Sequence, residues 1–214
     1  MYPINNFMGI EVQESEIKDR HVIIFLLVKP SDKGAKRIID KFNYFHHLSG
    51  KYCSIYPIGY SRNFFDYYDD IQQVKGINNE KCLYSDKCFI EFCESLSNKL
   101  KGWSYSGELE LIILQNKLID DYYSKLDFRN YTYLDVNYGI QKGYIDSFER
   151  FMQRLLTACK SEVEGYKAIQ VANRKRLKPR NVIERAIEMT PRIPKPMKAI
   201  LKDKLFYKSS TSKN

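Results

Sequence analysis

The chain predicts a small α/β fold, a three-layer sandwich with a mostly parallel sheet of four or slightly more strands and a basic helical C-terminal extension. Three observations predict it. Short apolar runs of strand length alternate with segments of helical periodicity. The helical segments are long enough for right-handed crossovers between parallel strands. Charge also changes abruptly near residue 166, so we expect an α/β domain over 1–165 and the extension over 166–214.

The first strand and helix are predicted from an apolar run and the periodic segment after it. Residues 21–28 read HVIIFLLV, which is typical of a strand that is covered on both faces. Pro30 stops the strand, and Ser31 or Asp32 can cap the helix that follows. Apolar residues recur at helical spacing from Ala35 as far as Gly50.

The second strand and helix flank a segment without clear periodicity. Residues 52–58 predict a strand whose proline favours its end or an edge position. Residues 59–84 predict a long excursion, and loops of that length are usually functional or mobile. Ser85 begins the next predicted helix, and Gly102 closes it.

Two further strands and one helix complete the predicted domain. Residues 108–114 alternate and then become wholly apolar, which predicts a third strand, and residues 131–136 predict a fourth. A short helix is expected between them around residues 118–126. The sequence Asp146 to Glu149 has the form of a capping box with aspartate in the cap, so it predicts the start of an amphipathic helix.

The C-terminal extension holds 14 of the 35 Lys/Arg residues and 3 of the 26 Asp/Glu residues, a net charge of +11, whereas residues 1–165 carry −2. Such segregation raises the local concentration of polyanions. Its basic positions are the candidate contacts to phosphate backbone, without sequence-specific readout: Arg174, Lys175, Arg176, Lys178, Arg180 and Arg185. Protein docking and simple solvation of a helix end are the alternatives.

The extension also has apolar periodicity. A proline-rich joint at 191–196 separates two predicted amphipathic helices, and the final residues 208–214 are expected to fray. Regular apolar residues favour docking on the domain, on a second copy or on a partner protein.

A candidate pocket follows from the rule that ligands of open α/β sheets lie beyond the carboxyl ends of the strands. The polar residues after the predicted strands are Lys29, Asp32, Tyr60, Arg62, Gln115 and Lys117. These groups converge only if the strands are parallel. Residues 42–68 are rich in aromatic side chains, which favour core packing and protein contact, with base stacking as the alternative.

Enzymatic activity stays open at this point. The sequence Gln115-Asn116-Lys117 at a strand end resembles the (D/E/Q)-x-K element of restriction-like nucleases. That resemblance implies a Mg²⁺ held with help from Gln115 and a lysine that steadies the attacking water, and it requires an acidic ligand from a neighbouring strand. No glycine-rich nucleotide fingerprint is present.

Composition limits the remaining classes. The five cysteines lack zinc-site spacing and favour buried, reduced thiols, so no metal or cofactor is expected unless the nuclease alternative holds. No apolar stretch reaches membrane-spanning length and the N-terminus does not resemble a secretory signal, so we expect no membrane and a cytoplasmic protein.

Three functions follow as expectations. The first is a non-catalytic accessory or adaptor protein of a prokaryotic-type nucleic-acid-handling complex, whose basic tail binds phosphate backbone or a partner subunit. The second is a small metal-dependent nuclease or nucleotide-processing hydrolase with its site at the strand ends. The third is a structural homo-oligomer with a swapped tail.

Overall fold

The computed structural model describes residues 1–17, 21–64, 67–75, 80–100, 102–118, 124–160 and 207–210. Its main sheet has five strands, numbered among the eight strands of the described chain: β1 (Val22–Leu27), β2 (Cys53–Pro57), β6 (Glu110–Leu118), β7 (Ser124–Asp135) and β8 (Tyr207–Ser210). A second sheet contains β3 (Tyr60–Ser61), β4 (Gln72–Val74) and β5 (Cys82–Tyr84). The helices are α1 (Phe7–Ser15), α2 (Ala35–Ile39), α3 (Phe42–Ser49), α4 (Asp86–Lys99), α5 (Val136–Gln141) and α6 (Phe148–Cys159).

The main sheet is mixed and mostly antiparallel, with strand order β2-β1-β6-β7-β8. Strands β1 and β2 are parallel, and the other three pairings are antiparallel. The prediction of a mostly parallel sheet is therefore wrong. The reason lies between β6 and β7, where strands extend to Leu118 and from Ser124 instead of the helix expected around 118–126. A connection that short joins antiparallel neighbours, whereas a parallel pair needs a crossover of a dozen residues or more.

Helices cover both faces of the main sheet. On one face, the ring of Phe25 lies 5.8 Å from that of Phe92 in α4 and 6.2 Å from that of Phe7 in α1. On the other, α3 packs on α6 through Phe45 and Phe148, whose ring centroids are 5.7 Å apart. Every residue of β1 is buried. The uninterrupted apolar run of β1 is explained by this double cover.

The predicted excursion over 59–84 contains regular structure. Strands β3 and β4 both pair antiparallel with β5 to form the small second sheet. These strands have only two or three residues each, which is too short for hydrophobic alternation to reveal them. Gly59 makes the turn from β2 into this sheet with a φ of +82°.

The predicted capping residues are found at some helix starts and not at others. Gly34 caps α2 without a side-chain hydrogen bond, so the prediction that Ser31 or Asp32 caps this helix is wrong; Asp32 instead accepts from the Lys29 amide. Ser85 caps α4 and its hydroxyl accepts a hydrogen bond from the Cys88 amide at 3.1 Å, as expected. The cap of α6 is Ser147 instead of Asp146. The helix predicted from Ala35 to Gly50 is divided into α2 and α3, and α4 ends at Lys99, before Gly102.

Most of the predicted extension lies outside the described residues. Residues 207–210, where the end of a helix and fraying are expected, form β8 and pair with residues 131–134 of β7. The predicted tail helices and the basic residues from Arg174 to Arg185 fall within 161–206, which the structure does not describe.

Candidate functional site

One end of the main sheet gathers carboxylates, and we call it the acidic end. Here Lys29 follows the end of β1, and its amide donates to the Asp32 carboxylate at 2.7 Å. The Lys29 ammonium lies 3.3 Å from the Asp86 carboxylate and 5.2 Å from the centroid of the Phe89 ring. Burial raises the pKa of Asp32, and the nearby Glu108 and Asp86 carboxylates add to that increase against the opposing effect of Lys29.

Tyrosines form the walls of the acidic end. The Tyr60 hydroxyl donates to the Val28 carbonyl at 3.0 Å, and the Tyr84 hydroxyl donates to Asp86 at 2.9 Å. Their rings are 4.8 Å apart. The Tyr105 hydroxyl is inaccessible to solvent and has no hydrogen-bond partner among the described residues. Desolvation raises the pKa of all three phenols, so they are neutral; Tyr60 and Tyr84 act as donors, and all three rings form apolar walls.

Strands β6 and β7 bring further carboxylates to this end, because β6 runs antiparallel to β1. Glu110 is fully buried, and its carboxylate accepts from the Trp103 indole at 3.1 Å and from the Ser106 amide at 3.0 Å. Asp135, its cross-strand neighbour, caps α5 by accepting from the Tyr138 amide at 2.8 Å. These carboxylates therefore have defined roles in holding loops and helix ends.

The opposite end of the sheet holds Gln115 and Lys117, so the predicted pocket is divided. Gln115 pairs with Val22 at the start of β1, whereas Lys29 and Asp32 follow its end. The expectation that all six pocket residues converge depended on parallel strands and is wrong for these two. Arg62 follows β3 and forms an exposed ion pair with Glu80 at 2.8 Å. Lys29, Asp32 and Tyr60 are the predicted pocket residues that the fold brings together.

An acidic residue does lie opposite Gln115. Asp127 is its direct cross-strand partner, and Lys117 lies opposite Lys125 one step further along the hairpin. Side chains two residues apart share a face, so Gln115, Lys117 and Asp127 lie on one side. Asp127 also forms an ion pair with Arg129, whose Nε lies 3.3 Å from the Asp127 Oδ1.

Lysines and one tyrosine surround this second end, which we call the basic end: Lys51, Tyr52, Lys117, Lys125 and Lys160. The ammonium groups of Lys51 and Lys160 each lie 5.9 Å from the centroid of the Tyr52 ring, which is 39% exposed. Sequence reasoning assigned no role to Lys51, Lys125 or Lys160. The cross-strand pairing that places Lys125 opposite Lys117 was hidden by the helix expected at 118–126.

A buried polar cluster lies near the basic end beneath α1. Glu14 accepts from the Tyr56 hydroxyl at 2.5 Å and from His21 Nε2 at 2.6 Å, and the same ring nitrogen lies 3.2 Å from the Ser54 hydroxyl. Serine and carboxylate share one imidazole nitrogen, whereas a proton relay needs one on each side of the ring. These groups are at most 5% exposed, so the cluster fastens α1 to the sheet and has no access for a substrate.

The five cysteines are all free and buried. Desolvation raises the pKa of Cys82 and Cys88 to about 11 and that of Cys93 to about 12, so these thiols stay protonated.

Within the described residues, no group of three or more His, Cys, Asp or Glu side chains is arranged to hold a metal ion. In the same part of the chain, no helix has the length and apolar character needed to cross a bilayer.

Comparison with protein-family models, with curated proteins and with solved structures finds no match for this chain. The proposed function therefore rests on the residues and contacts of this chain alone.

Proposed function

We propose that the chain is a non-catalytic accessory or adaptor protein of a prokaryotic-type nucleic-acid-handling complex. In this proposal the tail binds phosphate backbone, without reading sequence, or a partner subunit, in the cytoplasm. The observation that carries the proposal is the charge division, with a net +11 over residues 166–214 against −2 over the rest. Each cation that neutralises a phosphate releases condensed counterions, which provides affinity without base contacts.

The acidic end supports a non-catalytic role. Lys29, Asp32 and Tyr60 each contact another group of the fold, namely Asp86, the Lys29 amide and the Val28 carbonyl. A general base or nucleophile needs a free position facing a substrate. The predicted pocket residues instead hold the end of β1 and the start of β3 in place.

Exposed apolar residues near the second sheet support the adaptor part of the proposal. Tyr67 is 65% exposed and its ring lies 4.2 Å from that of Tyr68, which in turn donates to Glu91 of α4 at 2.8 Å. Ile71 and Ile90 are 38% and 48% exposed. Aromatic side chains are enriched in protein interfaces, so these exposed residues favour a protein contact, which the excursion would supply.

The test is the salt dependence of nucleic-acid binding by the full chain. Replacement of Arg174, Lys175, Arg176, Lys178 and Arg180 by alanine should reduce the slope of log K against log salt by about 4 on duplex DNA, since each phosphate contact contributes roughly 0.9. The matched control removes five lysines elsewhere in the tail: Lys195, Lys198, Lys202, Lys204 and Lys208. Binding that neither depends on salt nor changes in the first variant would contradict the proposal.

A second candidate function, a metal-dependent nuclease, is favoured by one observation. Asp127 stands opposite Gln115 on the same face as Lys117, which supplies the acidic neighbour that such a site requires. If this function holds, Lys117→Ala should abolish Mg²⁺-dependent cleavage of a labelled oligonucleotide at saturating protein, whereas Lys125→Ala should leave most of it. Equal rates in the wild type and Lys117→Ala would remove this candidate.

A further inference from the structure

We infer that the basic end of the main sheet binds single-stranded nucleic acid, with Tyr52 stacking on a base and its lysines contacting the phosphates. This inference rests on the proposed function and assigns the domain a contact of its own, separate from the tail. It also narrows the ligand to strands with unpaired bases.

The register of the sheet places the lysines together. Cys53, Val22, Gln115 and Asp127 are paired in turn across four adjacent strands and form one row. Neighbouring strands are about 4.8 Å apart, so the row spans roughly 15 Å. Lys51, Lys117 and Lys125 each lie two residues beyond this row at the same end of the sheet. The lysines therefore line the whole width of four strands at this end of the sheet, where a single strand could run across them.

The pairing of Lys117 with Lys125 is unfavourable for the fold by itself. Like charges directly opposite in an antiparallel pair repel each other. Both side chains are exposed, and neither forms an ion pair with a described residue. A polyanion would turn this repulsion into attraction, because its phosphates would lie between the two ammonium groups.

Tyr52 provides the feature that distinguishes a base from a simple anion. Its ring is flanked by the ammonium groups of Lys51 and Lys160, each 5.9 Å from the ring centroid, and it remains 39% exposed. An aromatic face beside cations is the arrangement with which proteins bind single strands, because every base can stack and every phosphate can pair. A duplex keeps its bases stacked inside and would use the lysines alone.

The helix that leads into the tail ends here. Cys159 of α6 contacts Cys53, since a hydrogen bond between the two thiols, together with burial, raises the pKa of Cys159. Lys160 follows directly, and the basic segment from Lys167 onward continues from this point in the sequence. A strand bound at the basic end is thus close to where the tail begins.

The experiment measures fluorescence anisotropy of a labelled oligothymidylate of about 20 nucleotides, and of a duplex of equal length, with the full chain over a series of salt concentrations. Tyr52→Ala should weaken oligothymidylate binding about tenfold or more and leave duplex binding nearly unchanged. Tyr52→Phe should retain binding. Tyr44→Ala is the matched control, because Tyr44 is 44% exposed and lies away from these lysines on α3.

The lysines are tested by charge. The triple variant Lys51→Ala, Lys117→Ala, Lys125→Ala should reduce the single-strand salt slope by about 2. The control triple variant at Lys33, Lys36 and Lys41, which removes the same charge, should change the slope far less. Circular dichroism and urea unfolding verify that each variant is folded.

The outcomes separate this inference from the proposed function. If the tail variant weakens binding while the basic-end variants behave like their controls, the inference is wrong and the proposed function stands. If the lysine variants weaken binding but Tyr52→Ala does not, the surface recognises polyanions in general and the single-strand assignment is overturned. If the full chain binds neither probe at low salt, both fail.

Discussion

The two ends of the main sheet use charge in opposite ways. At the acidic end, carboxylates are tied to named donors, such as Glu110 to the Trp103 indole and Asp135 to the first turn of α5. At the basic end, Lys117 and Lys125 lie opposite each other, exposed and without an ion pair to any described residue. A charge that holds a loop in place contributes to the fold, whereas an exposed charge beside a like charge opposes it. Function should therefore be sought where charge costs stability.

The largest expected effect concerns Glu110. Glu110→Ala should lower the free energy of unfolding by about 3 kcal/mol, because the buried Trp103 indole and the Ser106 amide would lose their acceptors. Glu110→Gln should cost less, since its carbonyl still accepts. Urea unfolding measures both. Glu108→Ala, an exposed carboxylate two residues earlier, is the control and should cost well under about 1 kcal/mol. Similar losses at both positions would contradict a structural role for the acidic end.

Gly59 tests how closely that end is packed. A Cβ atom there would lie 2.8 Å from both the Phe89 Cβ and a Tyr84 ring carbon, and the φ of +82° already disfavours other residues. Gly59→Ala should therefore destabilise the protein by about 3 kcal/mol. Gly102→Ala is the control, with a φ of +77° and open space, and should cost about 1 kcal/mol. Thermal or urea unfolding measures the cost of each substitution. Equal costs at Gly59 and Gly102 would show that the acidic end relaxes to accommodate the added Cβ atom.

Much of the local structure was predictable from the sequence. The apolar run of β1 and the Ser85 cap of α4 are local signals, and both predictions are confirmed. The direction of β6 was not predictable in this way. Its alternating and then apolar residues describe a buried strand equally well in either direction, and only pairing across the sheet selects one.

The direction of β6 decides which of the predicted pocket residues lie together. Lys29, Asp32 and Tyr60 follow β1 and β2, which are parallel, so the strand-end rule placed them correctly together. Gln115 and Lys117 lie in the C-terminal part of β6, which is antiparallel to β1, so they are at the opposite end of the sheet from Lys29 and Asp32. Tyr52 lies beside Lys51 in the sequence, but its second lysine neighbour, Lys160, comes from the packing of α6, a contact between residues more than 100 positions apart.

A smaller effect concerns the pH dependence of stability at Asp32. Because burial raises its folded pKa above the ordinary value of 3.8, the folded protein retains a proton that the unfolded chain releases first. The stability that Asp32 contributes therefore falls as pH rises from about 3.8 through the folded pKa. The Asp32→Asn side chain does not titrate, so the free energy of unfolding of this variant should rise relative to that of the wild type over the same pH range.

Asp69 is the control for Asp32, because its pKa is shifted in the opposite direction. A hydrogen bond from Lys87 and its charge lower the pKa of Asp69, so Asp69 contributes stability above its ordinary pKa and loses it as pH falls through the folded value. Asp69→Asn should thus lose stability relative to the wild type as pH rises from that lowered folded pKa to about 3.8, which lies below the window of Asp32. Urea unfolding at several pH values between about 2 and 6 measures both. Parallel trends would contradict the assigned environments.

The smallest effect in free energy is the sharpest test of the comparison. Lys125→Glu replaces a like-charge cross-strand pair with an opposite-charge pair and should raise the free energy of unfolding by about 0.5 kcal/mol. The double variant Lys117→Glu, Lys125→Glu restores a like-charge pair and should lose that gain, which a double-mutant cycle isolates. Both variants should bind oligothymidylate more weakly. A stabilised protein with weakened binding is the expected result if the lysines are retained for a partner, whereas a loss of stability in Lys125→Glu would mean that this end, like the other, serves the fold.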